Sequence, residues 1–175
     1  GLGDVYKRQR IICSFLDDIY EVAEMLVRQD DVKVIAVKDY IKNPKPNGYR
    51  SYHMIVEIPV FFSDRKQPMK VEVQIRTMAM NFWATIEHSL QYKYKGDMPP
   101  HVAERLTNAA DAIILLDQEM SSVRNEIMDA QNSNRRRASI VSDILNNIEN
   151  LYRTMNKREV GKIQDEFFRV YQSDD

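Results

Sequence analysis

The sequence predicts an α+β fold, in which a mixed β-sheet is flanked by helices and followed by a helical C-terminal extension. Short β-rich runs alternate with amphipathic stretches over residues 10–95. Two of these runs, at 52–62 and 69–77, are joined by a turn and predict a β-hairpin. After a break at 96–100, apolar residues recur only at helical spacing.

The first elements follow from local patterns. Residues 10–15 are a β-rich run. Asp17 and Asp18 offer N-cap groups for a helix that ends near Arg28. Alternating apolar residues at 32–36 predict a second strand. The chain is therefore expected to begin with strand, helix and strand.

The middle of the chain predicts a loop, a hairpin and a helix. Residues 40–51 hold two prolines and one glycine, which indicates a loop before the strand at 52–62. In the return strand at 69–77, apolar residues alternate with polar ones, so the two sets face opposite sides of the sheet. A helix at 78–92 follows. Its expected core residues are Phe82, Trp83 and Ile86.

The second half is predicted to be helical throughout. Apolar residues within 102–127 recur at alternating spacings of four and three, which is a heptad seam. A polar turn is expected at 131–137, followed by an amphipathic helix whose apolar pattern runs over 141–155. Gly161 is expected to interrupt this helix before 163–171. Such a seam needs a cover. Either an αα-hairpin folds back on its own domain, or a partner chain meets the seam at a subunit interface.

Composition excludes several classes of protein. The 175 residues carry 25 Lys and Arg against 26 Asp and Glu, so the chain lacks the positive field of a protein that coats nucleic acid without selection. A single cysteine, Cys13, excludes an intrachain disulfide and a multi-cysteine zinc site. No apolar run approaches the roughly 18 residues of a membrane span, and no signal peptide is apparent. A soluble cytoplasmic protein without a membrane partner is expected.

The loop at 43–53, NPKPNGYRSYH, concentrates groups suited to a nucleotide. Its prolines stiffen the backbone, and Gly48 permits a conformation that other residues resist. Tyr49 is a platform for a purine ring, while Lys45 and His53 are suited to phosphates. The alternative is a polar loop whose tyrosine only packs against its neighbours.

The strand at 71–76 places Glu72, Gln74 and Arg76 in register on one face. A carboxylate on a rigid strand can hold Mg²⁺ or take a proton from a hydroxyl group. The alternative is a solvated outer face of an antiparallel sheet. Since no P-loop, GxGxxG or GxSxG motif occurs, a nucleotide would bind through the basic loop and the sheet face.

The loop at 43–53 and the segment VEVQIRTMAMNFWATIEHSLQYK at 71–93 together resemble the synthetase domain of the RelA/SpoT family of guanosine alarmone synthetases. Small single-domain members from Firmicutes are the most similar. The resemblance runs from about Arg10 to Lys95. The helical extension also resembles that of the small members. The resemblance implies a nucleotidyltransferase-like mixed sheet. It also implies that the β,γ-pyrophosphate of ATP passes to the ribose 3′-hydroxyl of GTP or GDP, with Mg²⁺, giving AMP and the stringent-response alarmone (p)ppGpp.

The same resemblance implies roles for individual residues. Glu72 is the catalytic carboxylate and a Mg²⁺ contact, Tyr49 stacks on the guanine of the acceptor, and Arg10 packs on the adenine of ATP. The other implied residues of the GTP or GDP site are Lys45, His53, Asn47, Gln74, Asn81 and Lys38. Small members of the family are homotetramers, so the seam gains a use in subunit contacts, and a regulatory nucleotide or single-stranded RNA is a further expected partner.

The start of the chain departs from the family pattern. Members carry a turn that reads roughly D-I-A-G-x-R, whose Asp shares Mg²⁺ with the later Glu. Val5 stands at that position here, and Asp4 is one residue out of register. We therefore expect residues 1–9 to be non-native, 10–95 to be a partial synthetase domain and 96–175 to be an oligomerisation extension. We also expect the chain as written to bind ATP weakly and to make little product.

Two other functions compete with an enzyme. The first is a catalytically deficient module that binds guanine nucleotides or RNA because its ATP and Mg²⁺ half-site is missing. The second is a purely structural oligomerisation domain built on the C-terminal helices. The second leaves Lys45, Tyr49 and Glu72 unexplained.

Overall fold

A computed structural model describes residues 7–95 and 98–171 of the chain. In order, the elements are β1 (Lys7–Cys13), α1 (Leu16–Val27), β2 (Lys33–Asp39), β3 (Tyr52–Phe61), β4 (Lys66–Thr77), α2 (Met78–Lys93) and α3 (Pro100–Tyr171). The chain divides into two compact units, Gly1–Arg124 and Asn125–Asp175. Across these described ranges, none of the helices has the length and apolarity needed to cross a bilayer.

The first unit is built on a four-stranded sheet in the order β1-β4-β3-β2. β1 runs parallel to β4, whereas the β3–β4 and β2–β3 pairs are antiparallel, so the sheet is mixed. The predicted α+β class is confirmed. β4 lies between two strands, and Glu72 at its centre is flanked by Arg8 of β1 and Ile55 of β3.

The hydrophobic core lies between α1 and one face of the sheet. Ile19 and Ala23 of α1 are buried together with Met54 of β3. Val73 and Ile75 of β4 enter the same core, which confirms the predicted alternation of this strand. The even-numbered polar residues of β4 therefore lie on the opposite face of the sheet.

Within the first unit, α3 packs through part of the predicted seam and through positions outside it. Leu106 and Ile113 of the seam pack against Trp83, Ala84 and Ala110. The buried residues of α3 include Ala110, Asp117 and Ser121. Thr77, which caps α2, donates a 2.6 Å hydrogen bond to Asp117. The apolar seam did not reveal Asp117 and Ser121, because these buried positions are polar. Leu116, Met120 and Val123 of the seam stay 41–55% exposed.

Two predicted interruptions of the C-terminal helix are wrong, because α3 is helical at 131–137 and at Gly161. The segment 131–137 contains no proline or glycine, and a single glycine costs a helix only about 1 kcal/mol. Without a turn at 131–137, the predicted αα-hairpin is wrong as well. The part of α3 in the second unit exposes a series of apolar side chains: Ile140, Val141, Ile144, Leu145, Ile148, Leu151, Tyr152 and Met155.

Two details of the predicted helices also differ. Phe15, not an aspartate, is the N-cap of α1, and it makes no side-chain capping bond. Asp17 and Asp18 lie in the first turn and accept hydrogen bonds from Arg124, at 3.2 and 2.6 Å. Their carboxylates therefore tie α1 to α3 within the first unit.

The core prediction for α2 holds only at Trp83, which is 5% exposed and donates a 2.8 Å hydrogen bond to the Leu106 carbonyl. Phe82 and Ile86 were expected in the core but are 66% and 43% exposed. The helix packs through Met80, Trp83 and Ala84 instead, a set that also follows helical spacing.

The loop between β2 and β3 is held against α3 by a close backbone contact at Gly48. This glycine has a φ of 90°, and a Cβ built on it would lie 2.7 Å from the Cβ of Ala110. Thr107 donates to the Asn47 carbonyl, and Arg50 pairs with Asp111 at 2.7 Å. Because Tyr49 follows Gly48 directly, these contacts fix the backbone position from which the Tyr49 side chain projects.

We expect Gly48→Ala to destabilise the first unit by roughly 2 kcal/mol or more, because both the positive φ and the contact with Ala110 oppose a side chain. The measurement is urea unfolding followed by the fluorescence of Trp83, the single tryptophan of the chain. Adding Ala110→Gly should restore the part of the loss that comes from the clash.

The control for this experiment is Gly161→Ala in α3, where nothing lies within 4 Å of an added Cβ. Circular dichroism should show unchanged or increased helix content, because alanine is the better helix former. Equal destabilisation by both substitutions would show that Gly48 has no special role.

Candidate active site

The polar face of the sheet and the loop at 40–51 enclose a cleft of about 470 Å³. β4 contributes Glu72 and Gln74, β3 contributes His53, and the loop contributes Tyr49 and Lys45. Lys38, from β2, also lines the cleft. The structure therefore brings together six of the residues singled out from the sequence.

Glu72 is held at the floor of the cleft through both of its carboxylate oxygens. Its Oε2 lies 2.9 Å from Nε of Arg8 and 3.4 Å from Nε2 of Gln74, which donates to it. Its Oε1 lies 3.3 Å from Nδ1 of His53. The side chain is 19% exposed, so the carboxylate is fixed in orientation yet reachable from the cleft.

Tyr49 is held by both its hydroxyl group and its ring. The hydroxyl oxygen lies 2.9 Å from Nε2 of His53 and accepts a 2.7 Å hydrogen bond from Arg76. The ammonium of Lys45 lies 5.0 Å from the ring centroid, and the guanidinium of Arg76 lies 5.4 Å from it. An aromatic ring with cations at this distance is suited to a base whose phosphates lie nearby.

His53 links the tyrosine to the carboxylate. Burial lowers the pKa of His53 to about 4, and the positive charges of Arg76 and Lys45 act in the same direction, while Glu72 opposes them. The imidazole is therefore neutral near pH 7. Its contact with Glu72 at that pH is a hydrogen bond between a neutral ring and a carboxylate.

Arg10 lines a second cleft, of about 400 Å³, between the sheet and α2. The two clefts adjoin, since they share four lining residues: Arg8, Tyr49, Gln74 and His88. Two ligands bound in the two clefts would therefore meet near the even-numbered residues of β4. Such an arrangement suits a transfer between two substrates.

Two predicted site residues do not line either cleft. Asn47 instead shapes the loop, because its Oδ1 accepts a 3.1 Å hydrogen bond from the backbone N–H of Tyr49. Asn81 lies behind the site, where its Oδ1 is 3.5 Å from Nη1 of Arg76. Asp4 and Val5, the positions that depart from the family pattern, lie outside the described residues.

Three polar residues that line the first cleft were not predicted from the sequence: Arg8, Tyr40 and His88. Arg8 falls in the segment expected to be non-native, and only the parallel pairing of β1 with β4 shows that it faces Glu72. No sequence motif marked His88 as a site residue. A helical wheel of α2 would have placed it four residues after Ala84, which faces the interior.

The residues of the first cleft fit a metal ion that is bound jointly by the protein and a polyphosphate. Across residues 7–95 and 98–171, no group of three or more His, Cys, Asp or Glu side chains is arranged to hold a metal. Glu72 is the carboxylate that lines the first cleft. Mg²⁺ commonly binds through one or two carboxylates together with substrate phosphates, so Glu72 is the residue that would hold it.

A larger open depression of about 740 Å³ lies elsewhere on the first unit. It is lined by residues just before and at the start of β2, by the end of β3 and by the start of β4. These residues include Asp31, Glu57 and Phe61. The depression shares no residue with the two clefts described above. Convergent polar contacts, and not volume, therefore mark the candidate site.

Comparison with known proteins identifies the family of the chain. A family described as a region found in RelA / SpoT proteins matches residues 4–97, which are more than half of the chain. The chain belongs to the RelA/SpoT family. The matched range includes β1 to β4 and α2, and therefore all the residues of both clefts.

Two curated relatives come from Bacillus subtilis (strain 168). GTP pyrophosphokinase YwaC is 47% identical over 118 residues, which are 67% of this chain and 56% of the relative. GTP pyrophosphokinase YjbM is 51% identical over 122 residues, which are 70% of this chain and 58% of the relative. The chain thus spans less than three fifths of the length of these RelA/SpoT relatives.

Solved structures of small alarmone synthetase 1 from Bacillus subtilis are also similar. The structure bound to its product pppGpp is 50% identical with a TM-score of 0.66, over 69% of this chain and 62% of that one. The structure bound to AMPCPP is 44% identical with a TM-score of 0.58, over 69% and 60% of the two chains.

The low pKa of His53 predicts that the first unit loses stability as the pH falls. The unfolded chain binds a proton at His53 below about pH 6.5, but the folded chain resists it until about pH 4. Stability is therefore full above pH 6.5 and falls by up to about 3 kcal/mol towards pH 4. Urea unfolding at pH 7, 5.5 and 4.5 measures this loss.

The His53→Asn variant should lose less stability over the same window, because it carries no proton-binding ring. His101→Asn, at an exposed histidine in the first turn of α3, is the control and should lose as much as the unmodified chain. An identical pH slope for His53→Asn and the unmodified chain would contradict the pKa of about 4 for His53.

Proposed function

We propose that this chain carries the synthetase centre of a GTP pyrophosphokinase, a transferase that makes the alarmone (p)ppGpp from ATP and GTP or GDP. One observation carries the proposal. Glu72, on the central strand, lines the same cleft as Tyr49 and Lys45, and His53 joins the carboxylate to the tyrosine. The acid and the aromatic ring proposed to act on one nucleotide thus share one hydrogen-bonded network.

The reaction requires activation of a poor nucleophile. Glu72 accepts the proton of the ribose 3′-hydroxyl while that oxygen forms a bond to the β-phosphorus of ATP. The bond between the β-phosphorus and the oxygen that bridges to the α-phosphorus breaks, and AMP leaves. Because Glu72 sits on a strand bonded on both sides, its carboxylate needs little reorganisation during this step.

The two clefts accommodate the two substrates. In the first, Tyr49 stacks on guanine while Lys45, Lys38 and His53 face the acceptor phosphates. In the second, Arg10 packs on the adenine of ATP, whose analogue AMPCPP is bound in the related synthetase structure. Glu72, together with the polyphosphate, would hold Mg²⁺, and the ion would supply positive charge beside the transferred group.

We expect Glu72→Gln to lower the rate of (p)ppGpp formation by at least about 100-fold, since the amide cannot take the hydroxyl proton. GTP binding should remain within a few-fold, because Tyr49 and Lys45 supply it. Chromatographic product assays with ATP, GTP and Mg²⁺ and calorimetric GTP titrations measure the two quantities. Glu57→Gln, outside both clefts on β3, is the matched control.

The assay is also run in a Val5→Asp background, because Val5 stands where the family carries Asp and a low basal rate is expected. Robust synthesis by the unmodified chain would overturn that expectation alone. Synthesis that survives Glu72→Gln would overturn the proposed role of Glu72. GTP binding with no synthesis in either background would favour a binding module over an enzyme.

The exposed face of α3 supports a proposal of assembly. The seam residues Leu116, Met120 and Val123 are 41–55% exposed within the first unit and would be covered in a homo-oligomer, a tetramer by resemblance. A regulatory nucleotide or single-stranded RNA is the further partner that the resemblance suggests. The location proposed is the cytoplasm, which holds the ATP and GTP that the reaction consumes.

We expect Leu116→Asp to weaken the oligomer, because a charge would be buried at the apolar contact. Sedimentation velocity should show a smaller species, or a dissociation constant raised at least about 10-fold. Gln118→Asp, at an exposed polar position of the same helix, is the control and should leave the assembly unchanged. An unaltered assembly in Leu116→Asp would remove the seam from the subunit contacts.

A further inference from the structure

We propose that Arg76 is a positioning residue that sets the direction of the hydrogen bonds leading to Glu72, and thereby the tautomer of His53 and the amide orientation of Gln74. The inference rests on the proposed function, in which Glu72 takes the proton of the acceptor hydroxyl. Neither the sequence pattern nor the family comparison assigns a role to Arg76.

The guanidinium of Arg76 is the buried end of this network. The residue is 4% exposed, and its Nη2 lies 2.7 Å from the hydroxyl oxygen of Tyr49 and 2.6 Å from Oε1 of Gln74. Its Nη1 lies 3.5 Å from Oδ1 of Asn81. Arginine has five N–H donors, no acceptor and a charge that it keeps in proteins, so all of these bonds run outwards from Arg76.

The first branch passes through Tyr49 to His53. Because Arg76 cannot accept a hydrogen bond, the hydroxyl hydrogen of Tyr49 cannot point at it. The hydrogen is directed instead to Nε2 of His53, 2.9 Å away. A neutral His53 that accepts at Nε2 carries its hydrogen on Nδ1, and this atom faces Oε1 of Glu72 at 3.3 Å.

The second branch passes through Gln74. Its Oε1 accepts from Arg76, so its amide nitrogen is turned the other way, to 3.4 Å from Oε2 of Glu72. A flipped amide would set two oxygens against each other at Glu72 and a nitrogen against the donors of Arg76. The guanidinium therefore orients a donor towards each oxygen of the catalytic carboxylate.

The two branches connect the parts of the site that must act together. Tyr49 is the ring proposed to hold the guanine, and Glu72 is the acid proposed to meet the ribose of the same nucleotide. Both are fixed to one guanidinium, which is itself 4% exposed on the central strand. An orienting group of this kind typically changes activity about 10- to 100-fold when it is removed.

The test compares Arg76→Lys with Arg76→Gln, two substitutions that keep a polar chain in the same space. Lysine still has only donors, whereas the introduced amide also offers an acceptor towards Tyr49. Nitrogen-15 NMR of the imidazole rings reads the tautomer directly, and the chain has only three histidines, which single substitutions assign. The measurement is made at pH 7 without nucleotide.

We expect His53 to be the Nδ1–H tautomer in the unmodified chain and in Arg76→Lys, and to gain the Nε2–H tautomer in Arg76→Gln. Tyr49→Phe should change the tautomer in the same way, because the ring is kept and only the donor is lost. Gln74→Leu is the matched control for the other branch and should leave the tautomer of His53 unchanged.

An Nε2–H tautomer in the unmodified chain would overturn the proposal even if neither Arg76 variant folded. An Nδ1–H tautomer that persists in a folded Arg76→Gln would overturn it too. In the synthesis assay, kcat should fall about 10- to 100-fold in Arg76→Gln and less in Arg76→Lys. If neither the unmodified chain nor the Val5→Asp background made product, the proposed function would fail, while the NMR result would still decide the role of Arg76.

Discussion

The position of β4 between β1 and β3 is the constraint on which the site depends. A central strand has hydrogen bonds on both edges, so the side chains that alternate along it are fixed to two opposite faces. Val73 and Ile75 bury one face in the core. That burial holds Glu72 and Gln74 in place on the other face, because any slip by one residue would expose the apolar set to water.

The loop between β2 and β3, which meets this strand, is fixed by contacts with α3. Gly48 lies so close to Ala110 that no side chain fits between them, and Arg50 pairs with Asp111. The Tyr49 ring therefore approaches the sheet from a backbone anchored on α3. The helical extension, which the sequence suggested was an assembly region, thus supports the candidate site through residues of the first unit.

Sequence patterns predicted most of the sheet because strands with one buried face alternate visibly, as β4 does. The resemblance to the RelA/SpoT family, and not the patterns alone, implied that Glu72, Tyr49 and Lys45 belong to one site. The patterns failed where contacts between distant segments decide the outcome. Arg8 reaches Glu72 only through the parallel β1–β4 pairing. The buried face of α3 includes Asp117, which hydrophobic periodicity cannot detect.

Polar groups of the site also limit one another's protonation. Burial disfavours charge on His53, and Arg76 disfavours it further, so the ring is a neutral link near pH 7 whose two nitrogens face Tyr49 and Glu72. Glu72 is then the anionic group of the first cleft that is able to receive a proton. Lys45 and Lys38 in the same cleft have the opposite charge, which favours a polyphosphate ligand. The burial of His53 thus leaves the charges of the first cleft to one acid and several cations.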